Sequence, residues 1–268
     1  MTCSVCILAT QTPNMQTAER VSAQDLSDNY VFQRSVLAYV EAAKQVKGAV
    51  LEVGYGEGYG VKYLAGNADS YLGVDKYPSP AHEKEFPANV KVKLMNVPPL
   101  EGIADSSLDF VVSFQVIEHI EDDNLYVKEI ARVLKPGGKY IVTTPNIKMS
   151  ITRNPWHVRE YTIEQLKTLL GKYFSTVEAK GVFGNQKIMD YYNKNKASVE
   201  KITRFDIFKL QYRLPRWMLQ IPYDFMNRRN RKKLLQQNTG LVSDIKMEDY
   251  FIAEAKDGCF DLFYIATK

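Results

Sequence analysis

The chain has 268 residues, 45% of them hydrophobic and 25% charged, with a formal net charge of +4. That length carries one large domain, or one domain with an insertion, and so mild a basic excess does not by itself select a nucleic-acid partner. No apolar run approaches the roughly eighteen residues of a membrane-spanning helix, and the first residues lack a basic stretch followed by a cleavage signal, so neither a span nor a leader is expected. Three cysteines suit reduced thiols and a cytoplasmic setting. Cys3 and Cys6 form a lone C-x-x-C without a second pair or a nearby histidine, so no metal is expected.

Residues up to Pro13 read as a loose terminus. Helical spacing of Tyr30, Arg34, Leu37 and Val40 predicts a helix within Glu19–Lys47, capped by Ser27 or Asp28. Ala49 to Val53 is an apolar run that reads as a buried parallel strand. It enters Gly54-Tyr55-Gly56-Glu57-Gly58-Tyr59-Gly60 and then a helix at Val61 to Ala65. A strand, a glycine turn and a helix start favour an anionic or zwitterionic ligand group, because free N–H groups point outward there. Tyr71 to Asp75 reads as a second strand ending in a carboxylate that can accept from two ribose hydroxyls.

After a break at Tyr77-Pro78-Ser79-Pro80, a third strand is expected at Val90 to Leu94. A fourth at Ser107 to Phe114 runs into Gln115-Val116-Ile117-Glu118-His119. Leu125 to Leu134 reads as a helix stopped by Lys135-Pro136-Gly137-Gly138, and Tyr140 to Thr143 as a fifth strand. The loop Asn154 to Tyr161 then lies at the carboxyl edge, where loops carry function in α/β folds. Thr162, with Gln165 three residues on, marks the start of the next helix. Ser175 to Val182 and Cys259 to Thr267 read as the last two strands. About seventy-five residues separate those strands, too many for a hairpin loop. Tyr191–Tyr212 and Tyr223–Gln237 look helical, separated by Leu214-Pro215 and Ile221-Pro222. The second half of this insertion is basic: Arg213, Arg216, Arg228, Arg229, Arg231, Lys232 and Lys233 are interleaved with Tyr212, Trp217, Tyr223 and Phe225. Such a stretch reads as a helical lid with a solvated basic face, as an anionic-membrane contact or as a nucleic-acid surface.

The dinucleotide fingerprint G-x-G-x-x-G fails here, because Tyr59 or Val61 stands where its third glycine belongs. The pattern that fits is acid-x-G-x-G-x-G, with Glu52 two residues before Gly54. With Asp75, Ile117-Glu118-His119 and Leu134-Lys135-Pro136-Gly137-Gly138, it resembles the class I S-adenosylmethionine (SAM)-dependent methyltransferases of the small-molecule, "type 11" kind, over residues 35 to 180 and the last ten. The resemblance implies a Rossmann-like, doubly wound α/β sheet of seven strands with helices on both faces. The last strand would be antiparallel, with the helical insertion before it. It divides the chain into a tail and cap helix (1–47), a SAM-binding core (48–182 with 259–268) and a lid (183–258).

It further implies SAM as cofactor, with S-adenosylhomocysteine as product. Glu52, Gly54, Tyr55, Gly56 and Gly58 would hold the methionine end, Asp75 and Lys76 the ribose side, and Gln115 the junction with the acceptor. Asn96, where the family commonly has an aspartate, would meet the adenine beside Val97. Tyr30, Glu118, Arg159 and Tyr161 would face the acceptor, with His119 and His157 as candidate acid–base groups, since a histidine titrates near operating pH. No N-P-P-[YF] motif is present, which favours a small or lipid-like acceptor. A nucleic-acid methyltransferase using the basic insertion, a SAM-binding protein without catalysis and a NAD(P)-binding oxidoreductase remain as alternatives.

Overall fold

The computed structural model describes residues 21–77 and 86–268. Cys3, Cys6 and Pro78 to Pro80 therefore lie outside the described residues. The strands are β1 (Gly48–Val53), β2 (Ala68–Asp75), β3 (Val90–Leu94), β4 (Leu108–Phe114), β5 (Leu134–Pro145), β6 (Thr176–Gly184), β7 (Tyr250–Glu254) and β8 (Asp261–Thr267). They form one sheet in the order β3-β2-β1-β4-β5-β8-β6-β7. The first five run parallel, and β8 is antiparallel to both β5 and β6. This is the expected doubly wound architecture with one strand more. The extra strand, β7, pairs with β6 at the edge, inside the stretch expected to be wholly helical. Its five residues, Tyr250-Phe251-Ile252-Ala253-Glu254, are a short apolar run without apolar–polar alternation, which periodicity alone does not separate from helix.

Helices α1 (Asn29–Ala43), α2 (Val61–Leu64), α3 (Asp123–Val133), α4 (Ile163–Gly171), α5 (Gln186–Thr203), α6 (Leu210–Arg213), α7 (Arg216–Gln237) and α8 (Thr239–Ser243) cover the two faces. One cluster of buried side chains joins Tyr126, Ile130, Leu166 and Leu170 of α3 and α4 to Leu51, Val111 and Val142. A second, on the opposite face, joins Leu37 and Ala42 of α1 to Ile188, Leu234 and Val242 of α5, α7 and α8. The segment after β6 thus shares the core of the sheet. Thr162 and Gln165 form the reciprocal cap of α4. By contrast, Ile221-Pro222 does not break the chain. Pro222 lies within α7, at the cost of one backbone bond to the Met218 carbonyl.

Asp28 does not cap α1 through its side chain. Fully buried, it accepts from Arg228 Nη1 at 2.6 Å and Arg231 Nη1 at 2.7 Å instead. Beside it, Asn29 donates to the carbonyls of Val242 and Ile245 at 2.7 and 2.9 Å, and Tyr250 donates to the Tyr30 carbonyl at 2.6 Å. Two arginines that look like surface charge in the sequence therefore bind the start of α1 to α7. Breaking a buried pair by removing one partner strands the other charge. We expect Asp28→Asn to lower stability by about 3 kcal/mol in urea unfolding, and Arg229→Ala, at an exposed position, to change it by less than about 0.5 kcal/mol. Equal, small effects from the two would contradict this role for Asp28.

Candidate functional site

The carboxyl ends of β1, β2, β4 and β5 lie together because these strands are parallel neighbours, and Glu52 sits between Gly73 on β2 and Val112 on β4. Glu52 is 1% exposed. Tyr39 of α1 donates its hydroxyl to Glu52 Oε1 at 2.5 Å, whereas Oε2 is buried with no hydrogen-bond partner. Burial pushes the Glu52 carboxyl up to about 7. The charge of Asp75 adds to the rise, and the bond from Tyr39 opposes it. Gly60 makes room for this arrangement, since a Cβ there would lie 2.1 Å from the Tyr39 ring. The same ring packs edge-on against Phe114 and Tyr59.

Gly56 has φ +55°, and a methyl group added to it would meet no protein atom within 4 Å. Its N–H donates to Asp75 Oδ2 at 3.0 Å, while Tyr77 N–H donates to Oδ1 at 2.9 Å. Each Asp75 oxygen keeps lone pairs for further donors. Tyr55 is buried with its ring against Gly73. Lys76 and Asn96 are exposed, and Val97 is half-buried against the core. Gln115, at the end of β4, has φ +58° and donates to Thr143 Oγ1 at 3.3 Å.

These groups fit the nucleoside that the resemblance implies. A buried carboxylate oxygen without a partner suits the cationic amino end of SAM, and an open turn at Gly56 admits a ligand close to the backbone. A carboxylate at the tip of β2 suits a ribose.

Beyond β5 lies a cavity of about 610 Å³, lined by α1, the loop after β5, α5 and α7. Tyr30 and His157 are among its lining residues, as are Arg34, Tyr191, Asn195 and Phe260. The Tyr30 ring stacks on Tyr191 with centroids 4.3 Å apart. Arg34 pairs with buried Asp261 at 2.9 Å. Burial raises the Asp261 carboxyl, with Arg34 and Gln115 opposing. Asp261 thus stands between the cavity and the end of β4.

At the cavity wall His157 Nδ1 lies 2.7 Å from Glu160 Oε1, and Nε2 lies 2.8 Å from the Asn154 amide nitrogen. With Nδ1–H given to the carboxylate, Nε2 accepts and is the basic nitrogen. His119 Nδ1 lies 3.0 Å from the Trp156 carbonyl, and the His119 and His157 rings meet edge-on at 5.0 Å. Glu118 is buried, and Thr144 donates to its Oε2 at 2.9 Å. One ligand atom from each of Glu118, His119 and His157 lies within 4.8 Å of the others, an N/O set of the kind that can hold a divalent metal.

Not every expected acceptor contact comes to the cavity. Arg159, exposed, pairs with Asp123 at 2.7 Å, and the Tyr161 hydroxyl donates to the same oxygen at 2.8 Å. Neither residue lines the cavity, nor do Glu118 and His119. Arg159 and Tyr161 are placed by their attraction to Asp123, at the start of α3, which pins the loop against that helix. Sequence reasoning missed Tyr39, Asp261, Asn154 and Glu160. Asn154 and Glu160 carried a local signal, since each lies three residues from His157 in the loop already singled out.

Residues 51–142 match the family described as "Methyltransferase domain". A probable S-adenosylmethionine-dependent methyltransferase of Mycolicibacterium smegmatis is 38% identical over 175 residues, covering 62% of this chain and 68% of the relative. One of Mycobacterium tuberculosis is 37% identical over 182 residues, covering 65% and 66%. A ubiquinone biosynthesis O-methyltransferase of Xanthomonas oryzae pv. oryzae is 31% identical over 116 residues, covering 41% and 48%. The chain thus spans about two thirds of the mycobacterial relatives and about half of the xanthomonad one. Haemonchus contortus phosphoethanolamine N-methyltransferase 2, solved with SAM, shares the fold at a TM-score of 0.54 and 20% identity, over 90% of this chain and 56% of that one.

The crevice makes ligand binding depend on pH. A cation at Oε2 favours ionised Glu52, so binding expels a proton wherever the free protein holds one, below about pH 7. The affinity of S-adenosylhomocysteine in calorimetry should therefore rise with pH, by at most about ten-fold per unit below 7, and level off above it. Glu52→Gln should retain only the ligand's own pH dependence; identical profiles for the two proteins would contradict the assignment. Asp75→Ala should weaken binding at least about ten-fold with the fold intact.

Proposed function

The chain belongs to the class I SAM-dependent methyltransferases, and from that premise we propose that its acceptor is a small amphipathic or lipid-like molecule carrying a hydroxyl. Methyl transfer from SAM is the general activity of the protein. Its cofactor supplies a methyl group on a sulfonium, with a neutral thioether as leaving group. The protein's own task is alignment and exclusion of water. In this reading Glu52, Gly54, Gly56, Gly58, Asp75 and Gln115 hold the cofactor, and the segment 183–258 closes over the acceptor.

The observation that carries the acceptor reading is the cavity beyond β5. About 610 Å³ is the size of a small-ligand site, and most of its wall surface is apolar, interspersed with polar and charged side chains such as Arg34, Arg153, His157, Glu160, Asn195 and Arg231. A hydroxyl next to carbon is a poor nucleophile until its proton leaves, so its methylation calls for a base. His157 supplies one: Glu160 fixes its tautomer, and Nε2, once the acceptor hydroxyl displaces the Asn154 amide from it, takes the proton as the oxygen–carbon bond forms. The positive charge that then develops on the imidazole is stabilised by the same carboxylate.

Three of the insertion's arginines are taken by acids of the protein, which weakens the case for a nucleic-acid acceptor. Arg228 and Arg231 are spent on Asp28, and Arg216 pairs with Glu121. Methyl-labelled SAM incubated with separate small-molecule, lipid and RNA fractions should label an alkali-stable ether in an amphipathic fraction; label confined to RNA would overturn the reading. With that acceptor in hand, His157→Ala should lower turnover about 100-fold or more and leave S-adenosylhomocysteine affinity within about two-fold. Full turnover in the variant would reduce His157 to a loop anchor.

A further inference from the structure

Large apolar side chains are unevenly spread over the surface. Of fifteen exposed ones among the described residues, eleven fall between Ile202 and Met226, at the tip formed by the end of α5, α6 and the start of α7. Seven are more than half exposed: Phe205 at 71%, Ile207 at 81%, Phe208 at 69%, Tyr212 at 60%, Trp217 at 72%, Ile221 at 67% and Phe225 at 66%. A soluble monomer rarely leaves so much contiguous apolar surface in water unless something else covers it.

The charge around this tip has one sign. Residues 201–233 contain ten lysines and arginines against two aspartates. Neither aspartate offsets the exposed charge. Asp206 accepts from the backbone of Leu210 and Gln211, and Asp224 is buried beneath the Trp156 indole N–H. Lys201, Arg204, Lys209, Arg213, Arg229 and Lys232 remain exposed. The tip also borders the cavity, because Phe205, Phe208, Leu210 and Met226 are exposed and line it at once.

We infer that this tip docks on an anionic lipid surface, with its aromatic and aliphatic side chains in the interface and its cations against the headgroups, so that the cavity opens toward the bilayer. Charge complementarity selects this occupant. A second copy of the chain would bring like charges together, and a nucleic acid would leave the branched aliphatic side chains Ile207 and Ile221 with nothing to stack on. No helix among the described residues is long and apolar enough to cross a membrane. The docking stands on the surface alone; only the direction of acceptor delivery rests on the function proposed above.

The test uses the whole chain and acceptor-free vesicles, so that docking is read apart from catalysis. The protein should sediment with vesicles of phosphatidylcholine containing about a third phosphatidylglycerol, stay in solution with phosphatidylcholine alone, and be partly released by high salt. The variant Ile207→Ser/Trp217→Ser/Ile221→Ser, altered at exposed positions outside the cavity lining, should bind the anionic vesicles at least ten-fold more weakly while binding S-adenosylhomocysteine as the parent does. Arg213→Glu/Arg229→Glu should lose the preference for anionic lipid. The inference is overturned if the parent ignores anionic vesicles, or if the triple variant binds them equally well. Salt-sensitive binding to RNA at lower concentrations than to vesicles, or a dimer that the triple variant abolishes, would overturn it as well. If docking holds and no amphipathic fraction takes up methyl label, the acceptor reading fails and the docking surface stands.

Discussion

A carboxylate is kept out of water at the end of β1 with one of its oxygens unmatched, and the functional half of the molecule is arranged about that fact. Burying Glu52 without a full set of donors costs free energy, so the group holds its proton to about pH 7 and stays incomplete until a donor or cation arrives. Tyr39 supplies one bond from α1. Gly60 lets that ring approach, and β2 brings Asp75 alongside as a second carboxylate. A cationic ligand relieves both the missing bond and the proximity of two acids. In the proposed reading, the cost of burying Glu52 with one oxygen unmatched becomes affinity for the ligand's cationic end.

Helix α1 carries the consequence to the other half. One turn from its start it forms the wall of the large cavity through Tyr30 and Arg34, and three turns on it contacts Glu52 through Tyr39. Its first residues are held by α7, α8 and β7 through Asp28, Asn29 and the Tyr30 carbonyl. The inserted segment is thus tied to the helix that touches Glu52 and the proposed cofactor crevice.

What was legible in the sequence was what local pattern can encode. Glycine spacing, the acid at position 52, the strand-end acid at 75 and the apolar runs of β1 and β4 all announce themselves within a few residues. The Thr162–Gln165 cap does so too. What was not legible depends on partners far apart in the chain. Arg228 and Arg231 look like solvated charge until Asp28, some two hundred residues earlier, is brought beneath them. Arg159 and Tyr161 look like acceptor contacts until Asp123 claims both. Strand β7 is a short apolar run with no alternation to mark it as a strand, and the open edge of β6 gives it a place. The position of the cavity is a property of three packed helices and a loop and leaves no mark in any one of them.

A crystal structure of the protein with S-adenosylhomocysteine tests the central claim most directly. The account predicts the homocysteine amino group on Glu52 Oε2, directly or through one ordered water, with both ribose hydroxyls on Asp75 and the chain passing over Gly56. A nucleoside seated elsewhere, or a crevice in which another side chain of the protein satisfies Glu52 Oε2, would contradict it.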